Sequence, residues 1–287
     1  MLGGLARRVS LVEKLKSEDG SLLVVDSGNL VTEAWADANQ KQSLTKARLI
    51  IRAYMRMGVT AINVGDLDLL QGLAFLRKAA SRGLPLVSSN LVDPSTKTPI
   101  FKPYIIKKFG PIRVAFFGLL SPDIRTDIYK ETGKKFLVKN PVTTAQEIIS
   151  ILRDKADVII LLSALPSYRQ QEVIRGAPEI NCILGGREGR YVQSPLWEGQ
   201  TPILESYKYG MYAGKLQLTF LNASSPYIYE GMEEQSGWHA SSGGPRASGE
   251  SLSRNNRFQW VLIPLVTSIP EDKQVSRWIR KTGIEKD

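Results

Sequence analysis

The alternation of short apolar runs with segments of helical periodicity limits most strongly the folds open to this chain. Runs of β-branched and aliphatic residues predict strands at residues 21–26, 61–64, 86–89, 112–119, 158–163, 182–184, 203–206 and 215–220. Helical patterns lie between several of them. Strands that alternate with helices form a largely parallel sheet covered by helices, so the pattern predicts an α/β fold.

Three helices are marked by their ends or by their apolar spacing. The first has apolar residues at helical spacing up to Met57 and should end at Gly58, the residue best suited to a left-handed cap. The second should open with the capping box Thr144-Ala145-Gln146-Glu147. The last should start at Pro270-Glu271-Asp272, with apolar residues on one side at Val275, Trp278 and Ile279.

The low counts of cysteine and histidine exclude several mechanisms. Cys182 is the one cysteine among 287 residues, so the chain has no internal disulfide and no cysteine-based zinc site. We expect it to be a small buried side chain. His239 is the one histidine, which excludes within a single chain any mechanism that needs two imidazoles.

Residues 236–255 contain six Ser and four Gly, which predicts a mobile loop with His239 as an ordinary exposed residue. No apolar run approaches the roughly 18 residues of a membrane span. The first residues do not form a secretory signal. Taken as it stands, the chain is expected to be cytoplasmic; if its N-terminus is incomplete, it is expected to be periplasmic or exported.

Seven motifs follow one another along nearly the whole chain. They are Gly3-Gly4-Leu5-Ala6-Arg7-Arg8, Asp26-Ser27-Gly28-Asn29, Val64-Gly65-Asp66-Leu67-Asp68, Ser88-Ser89-Asn90, Ser163-Ala164-Leu165, Gly185-Gly186-Arg187-Glu188-Gly189 and Ile269-Pro270-Glu271-Asp272. In residues and order they resemble the metallophosphatase domain of the 5′-nucleotidases, a branch of the calcineurin-like phosphoesterase superfamily. The resemblance implies a four-layer αββα sandwich, with residues 1–287 as one domain. It also implies that the C-terminal nucleotidase domain is absent. The first metal-ligand pair of the family should lie just before Gly3, so either the start is misplaced or the first strand is lacking.

The resemblance also implies which positions should carry the catalytic metals, and most of them are replaced. Asp26 begins the second motif and Asn29 ends it. Asn29 stands where the family has a carboxylate that bridges two metal ions, and a neutral amide cannot bridge two cations as a carboxylate does. Asp66 replaces an asparagine ligand, and Leu67 replaces the histidine that stabilises the leaving group. Ala164, Arg187 and Gly189 stand where the family has its other histidines. The degenerate site implied by the resemblance also includes Asp68, Asn90 and Glu188.

We therefore expect a metal-free remnant of the site, in which Arg187 pairs with Asp66 or Asp68, since buried carboxylates need a partner. The alternative for the two aspartates is a turn or helix-cap role. The Gly-rich segment 185–190 is either a surface turn or an anion pocket in which Arg187 and Arg190 receive a phosphate-like anion. No cofactor is predicted, and Asp66 and Asp68 are the only metal candidates.

Two functional hypotheses remain open. The first is a non-catalytic homologue that binds a ligand or a protein partner near Asn29, Asp66, Asn90 and Arg187, with a partner or a second copy covering the gap left by a missing strand. The second is a phosphoric-ester or nucleotide hydrolase with Mn²⁺, Zn²⁺ or Mg²⁺, completed by a missing N-terminal segment. Residues 102–139 supply +6 of the net charge of +10. They carry no nucleic-acid motif, so nucleic acid is not the expected partner.

Overall fold

The computed structural model describes residues 2–19, 22–30, 40–124, 135–222, 225–230 and 255–283. The predicted Ser/Gly-rich loop lies outside these residues except for Asn255, and so does His239. In the part of the chain that is described, no helix is long and apolar enough to cross a membrane.

The described helices are α1 (Leu5–Asp19), α2 (Gln40–Met57), α3 (Leu73–Ser81), α4 (Pro141–Leu152), α5 (Ser167–Gly176) and α6 (Lys273–Thr282), with a 3-10 helix at Leu67–Gln71. Gly58 follows α2 in the left-handed conformation, with φ of 60°, as the sequence predicts. Asp272 is the N-cap of α6, and its side chain accepts the Val275 N–H.

The predicted start of α4 is wrong. This helix begins at Pro141, before the expected capping box. The side chain of Asn140 accepts the N–H groups of Val142 and Thr143, and proline at the first helical position needs no N–H partner. An asparagine cap followed by proline is therefore the effective start signal, and Thr144 lies inside the helix.

The described strands are β1 (Val25–Asp26), β2 (Ala61–Asn63), β3 (Leu86–Val87), β4 (Leu91–Val92), β5 (Tyr104–Phe109), β6 (Ile112–Leu120), β7 (Leu137–Val138), β8 (Val158–Ala164), β9 (Cys182–Gly185), β10 (Leu196–Glu198), β11 (Thr201–Glu205), β12 (Tyr212–Thr219), β13 (Tyr227–Tyr229) and β14 (Asn256–Pro264). Strands β1, β2 and β3 form a parallel sheet in that order. A six-stranded sheet has the order β10-β11-β9-β8-β6-β5, and its central strands are parallel. The remaining pairs form a sheet β12-β14-β13 and a small ribbon β4-β7.

Three buried apolar clusters define the layers. One lies between helices α1, α2, α3 and α6 and the small parallel sheet, with Val9, Tyr54 and Ile62 among its members. A second lies between the six-stranded sheet and helices α4 and α5. The third joins the six-stranded sheet to the sheets β1-β2-β3 and β12-β14-β13, and it contains Phe116 and Trp260. The layers therefore follow the order αββα, which confirms the predicted fold.

Strand β6 shows how one sequence serves two layers. Ala115, Phe117 and Leu119 belong to the cluster beneath α4 and α5, whereas Val114 and Phe116 belong to the cluster between the sheets. This period of two follows from the pleat, and both faces are buried. Among the described strands, β1 pairs only with β2. A strand or partner beside β1 stays a prediction.

Candidate functional site at the carboxyl ends of the strands

Three loops that follow parallel strands meet at one edge of the molecule. They follow β1, β2 and β9. A Cβ atom added to Gly65 would lie 1.9 Å from Asn29 Oδ1, and one added to Gly186 would lie 2.2 Å from Ser27 Oγ. At Gly65 the Asn29 backbone nitrogen would also lie 2.7 Å away, which leaves room for glycine alone, whereas at Gly186 the Ser27 hydroxyl would have to rotate away. The carboxyl ends of the strands thus bring together the loops that contain most of the predicted site residues.

The loop after β1 is a tight turn held by side chains. Asp26 Oδ1 accepts the Gly28 N–H at 2.8 Å, and Asp26 Oδ2 accepts the Tyr54 hydroxyl at 2.6 Å. Asn29 has a positive φ of 60°, and its Oδ1 accepts the N–H of Leu67 at 3.0 Å. The amide of Asn29 therefore joins this loop to the first residue of the 3-10 helix.

Asp68 ties the same two loops together from inside. Its carboxylate is buried and accepts three backbone N–H groups, from Asn29 at 2.9 Å, Leu30 at 2.8 Å and Gly65 at 2.8 Å. Burial raises the pKa of Asp68 to about 7, although the three N–H donors favour the ionised carboxylate and act to lower the pKa. Because both of its carboxylate oxygens accept backbone N–H groups, Asp68 holds the loop after β1 against the loop after β2.

Asp66 and Arg187 form an ion pair across this edge. Arg187 Nη1 donates to Asp66 Oδ2 at 2.7 Å, and the side chains are 22% and 6% exposed, respectively. The pairing expected from the sequence thus forms with Asp66, whereas Asp68 is bonded to the backbone.

A second arginine of the loop after β9 is also bound to carboxylates. Arg190 Nη2 donates to Glu205 Oε1 at 2.6 Å, and Arg190 Nε lies 3.5 Å from Glu188 Oε2. Glu188 further accepts the N–H and the hydroxyl of Ser167. Burial alone would raise the pKa of Glu188, but Ser167 and the arginines hold it below its usual range. Both candidate anion ligands therefore already have carboxylate partners.

The remaining predicted positions have structural surroundings. Ala164 is buried at the end of β8, and Leu67 is half-buried. Gly189 has a φ of 59°. Asn90 Nδ2 donates to the carbonyls of Leu120 and Lys139, and its Oδ1 accepts the Leu120 N–H. Its amide is thus bonded to the backbone of residues 120 and 139, so Asn90 braces the fold.

Sequence reasoning missed two parts of this edge. One is Glu205, a buried acid at the end of an apolar strand, whose burial signals a charged partner such as Arg190. The other is the bond from Arg8 Nη1 to the Tyr54 hydroxyl at 2.7 Å, which extends the link to Asp26. Burial raises the pKa of Tyr54, so its hydroxyl stays protonated.

The residues present do not fit a two-metal centre. In the described part of the chain, no three His, Cys, Asp or Glu side chains are placed to hold a metal ion. Asp68 is taken by backbone donors, Asp66 by Arg187, and Asn29 brings no charge. Two divalent cations would therefore meet a guanidinium and too few anionic oxygens.

No protein-family model matches the chain. It is 25% identical over 206 residues to a 2′,3′-cyclic-nucleotide 2′-phosphodiesterase/3′-nucleotidase of Salmonella typhimurium, a match that covers 64% of this chain and 32% of that protein. It is 23% identical over 255 residues to a 5′-nucleotidase of Vibrio cholerae, covering 76% of this chain and 45% of the relative. The chain thus spans less than half the length of these relatives.

The solved structure of the calcineurin-like phosphoesterase YfkN from Bacillus subtilis superposes with a TM-score of 0.71 at 19% identity, over 98% of this chain and 88% of that one. The layers, the motif order and the sequence relatives agree. The chain is therefore a homologue of the 5′-nucleotidase-like metallophosphoesterases and has the metallo-dependent phosphatase fold.

Proposed function

We propose that residues 1–287 form a single metallophosphatase-like domain that has lost catalysis and acts as a binding protein. The observation that carries this proposal is the ion pair between Arg187 and Asp66, at positions where the family resemblance implies metal ligands. The guanidinium supplies the positive charge that the carboxylate needs.

The chemistry of the replaced residues supports the same conclusion. Leu67 has no proton to donate to a leaving group, and Asn29 is a neutral ligand whose Oδ1 is bonded to the backbone. The side chains of Ala164 and Gly189 have no ligating atom. Phosphoryl transfer by this family's route needs two bridged metal ions and a charged clamp on the phosphoryl oxygens. The described side chains offer neither the bridge nor the clamp.

The second candidate is a metal-dependent phosphoric-ester hydrolase completed by an N-terminal segment outside this chain. One observation favours it. Only Oδ2 of Asp66 has a hydrogen-bond partner among the described residues, which leaves Oδ1 for a cation. Such an enzyme would have to displace Arg187 before a metal reached this carboxylate.

The two candidates are separated by assays of the purified chain with Mn²⁺ and two substrates, bis-p-nitrophenyl phosphate and AMP. We expect no Mn²⁺-dependent hydrolysis above that of Asp66→Asn. Elemental analysis after dialysis should find far fewer than the roughly two ions per chain of a two-metal site. Asp154→Asn, an exposed carboxylate away from this edge, is the matched control. Mn²⁺-dependent turnover that Asp66→Asn abolishes and Asp154→Asn retains would overturn the proposal.

A further inference from the structure

Four tyrosines, two exposed and two half-buried, form an aromatic cluster with a lysine beside the candidate site. We define the tyrosine cluster as Tyr191, Tyr207, Lys208, Tyr209 and Tyr212. The ring centroid of Tyr191 lies 5.8 Å from that of Tyr207 and 5.0 Å from that of Tyr212, and the Tyr207 and Tyr212 centroids are 5.9 Å apart. These distances fit edge-to-face and tilted packing, which fixes the rings in place.

The backbone of this cluster is strained. Tyr207 and Tyr209 have φ values of 68° and 57°, in the left-handed region. A bulky residue in that region costs about 1–2 kcal/mol relative to glycine, which adopts it freely. Folding alone therefore favours glycine at both positions. The presence of an aromatic ring at both positions in spite of that cost points to a use of the side chains.

The cluster is open to solvent and lies next to the loop that contains Arg187. Tyr209 is 64% exposed and Tyr191 is 46% exposed. The N–H of Tyr207 donates to the carbonyl of Arg190 at 3.1 Å, and a Cβ on Gly189 would lie 2.8 Å from Lys208 Cβ. Exposed tyrosines of this kind are enriched in protein-binding surfaces, since they bury a large ring and keep a hydroxyl for hydrogen bonds.

Charge selects among the possible occupants. Lys208 Nζ lies 5.8 Å from the Tyr207 ring centroid and 5.2 Å from that of Tyr209. No carboxylate of the described residues forms an ion pair with it. Arg187 and Arg190 are already paired with carboxylates. Lys208, a single cation without a carboxylate partner among the described residues, fits a segment with a few acidic residues better than it fits a polyanion. A second copy of a chain with a net charge of +10 would be repelled.

We propose that the tyrosine cluster is the docking surface for a partner protein that presents an acidic segment with apolar side chains. The apolar side chains pack on the rings, and a carboxylate pairs with Lys208. This proposal names the kind of partner for the binding role proposed above and rests on that role.

The test is selection of a random peptide library on the immobilised full chain, followed by titration of the enriched peptides by fluorescence polarisation. We expect the enriched peptides to combine Asp or Glu with apolar residues. Tyr191→Ala and Lys208→Ala should each raise the Kd at least about tenfold, as for a side chain at the centre of an interface. Tyr168→Ala, a tyrosine that is 51% exposed outside the cluster, should leave the Kd unchanged.

Tyr207→Gly separates binding from folding. It removes a ring and relieves strain, so binding should fall while the free energy of unfolding stays the same or rises. Absence of an enriched acidic peptide, or equal Kd values for Tyr191→Ala and wild type, would overturn the proposal. So would tighter binding of single-stranded DNA that depends on the same tyrosines. Ester hydrolysis is measured separately, so a catalytic chain that still binds these peptides contradicts only the loss of catalysis.

Discussion

Arg187 and Asp66 lie 121 positions apart in the sequence, and their side chains meet at 2.7 Å. The pair joins the loop after β9 to the loop after β2. Asp66 is almost completely buried, and Arg187 is the cation that pairs with it in the described part of the chain. The contact therefore links the stability of the edge to Arg187.

Removal of the guanidinium should destabilise the protein. Arg187→Ala leaves Asp66 as a buried unpaired carboxylate, and we expect a loss of about 2 kcal/mol in the free energy of unfolding. The double variant Asp66→Ala/Arg187→Ala should recover part of this loss, because no unpaired charge remains. Urea denaturation measures both. Arg153→Ala, which removes an exposed guanidinium 3.9 Å from Asp154, should change stability by less than about 0.5 kcal/mol.

Asp68 should make stability depend on pH. Burial raises its pKa in the folded state to about 7 from an ordinary value of 3.8. The folded state then binds the proton more tightly than the unfolded state, so the contribution is complete below the unfolded value and is lost as the pH rises through 7. Asp68→Asn cannot titrate, so its unfolding free energy should fall less than that of wild type between about pH 5 and 8. Parallel curves for the two proteins would contradict this assignment.

The close approach of two loops should make Gly65 irreplaceable. In Gly65→Ala the new Cβ would lie 1.9 Å from Asn29 Oδ1 and 2.7 Å from the Asn29 backbone nitrogen. The side chain can rotate but the backbone cannot move cheaply, so we expect a loss of about 2–3 kcal/mol. In Gly199→Ala, where nothing lies within 4 Å and only the positive φ is strained, about 1 kcal/mol should be lost. Similar melting temperatures for the two variants would argue against a packed loop junction.

Asp272 should stabilise the start of α6 at neutral pH, and this stabilisation should be lost in acid. Its Oδ1 accepts the Val275 N–H at 2.7 Å, and its Oδ2 accepts Arg56 at 2.9 Å. Burial opposes ionisation, but these donors hold the pKa of Asp272 below its usual range. Asp272→Ala should cost about 1–2 kcal/mol at neutral pH.

The acid dependence follows from the direction of that shift. A lowered pKa contributes stability that is present above the ordinary value and is lost as the pH falls through the folded value. The difference between Asp272→Ala and wild type should therefore shrink near pH 3. Glu13→Ala, which removes an exposed carboxylate 2.8 Å from the same Arg56, is the control and should cost less at neutral pH.

Local sequence patterns predicted two kinds of element correctly: strands that are buried on both faces, and helices whose ends carry a capping residue. Residues 158–163 are continuously apolar, and β8 is buried throughout its length. Gly58 marks the end of α2 because few other residues adopt its conformation without strain. In contrast, only Val25–Asp26 of the predicted strand at 21–26 forms a strand among the described residues, and β1 pairs only with β2 among the described strands.

From the sequence, the order of the motifs and the family resemblance that they carry predicted the αββα fold. The need of a buried carboxylate for a cation predicted that Arg187 pairs with Asp66 or Asp68. Only the tertiary structure decided that Asp68 is held by backbone donors, that Arg190 is bound to Glu205, and that tyrosines with left-handed backbones lie beside this edge. These contacts join residues that are remote in sequence. Their partners and distances depend on how the layers pack, which no local pattern records.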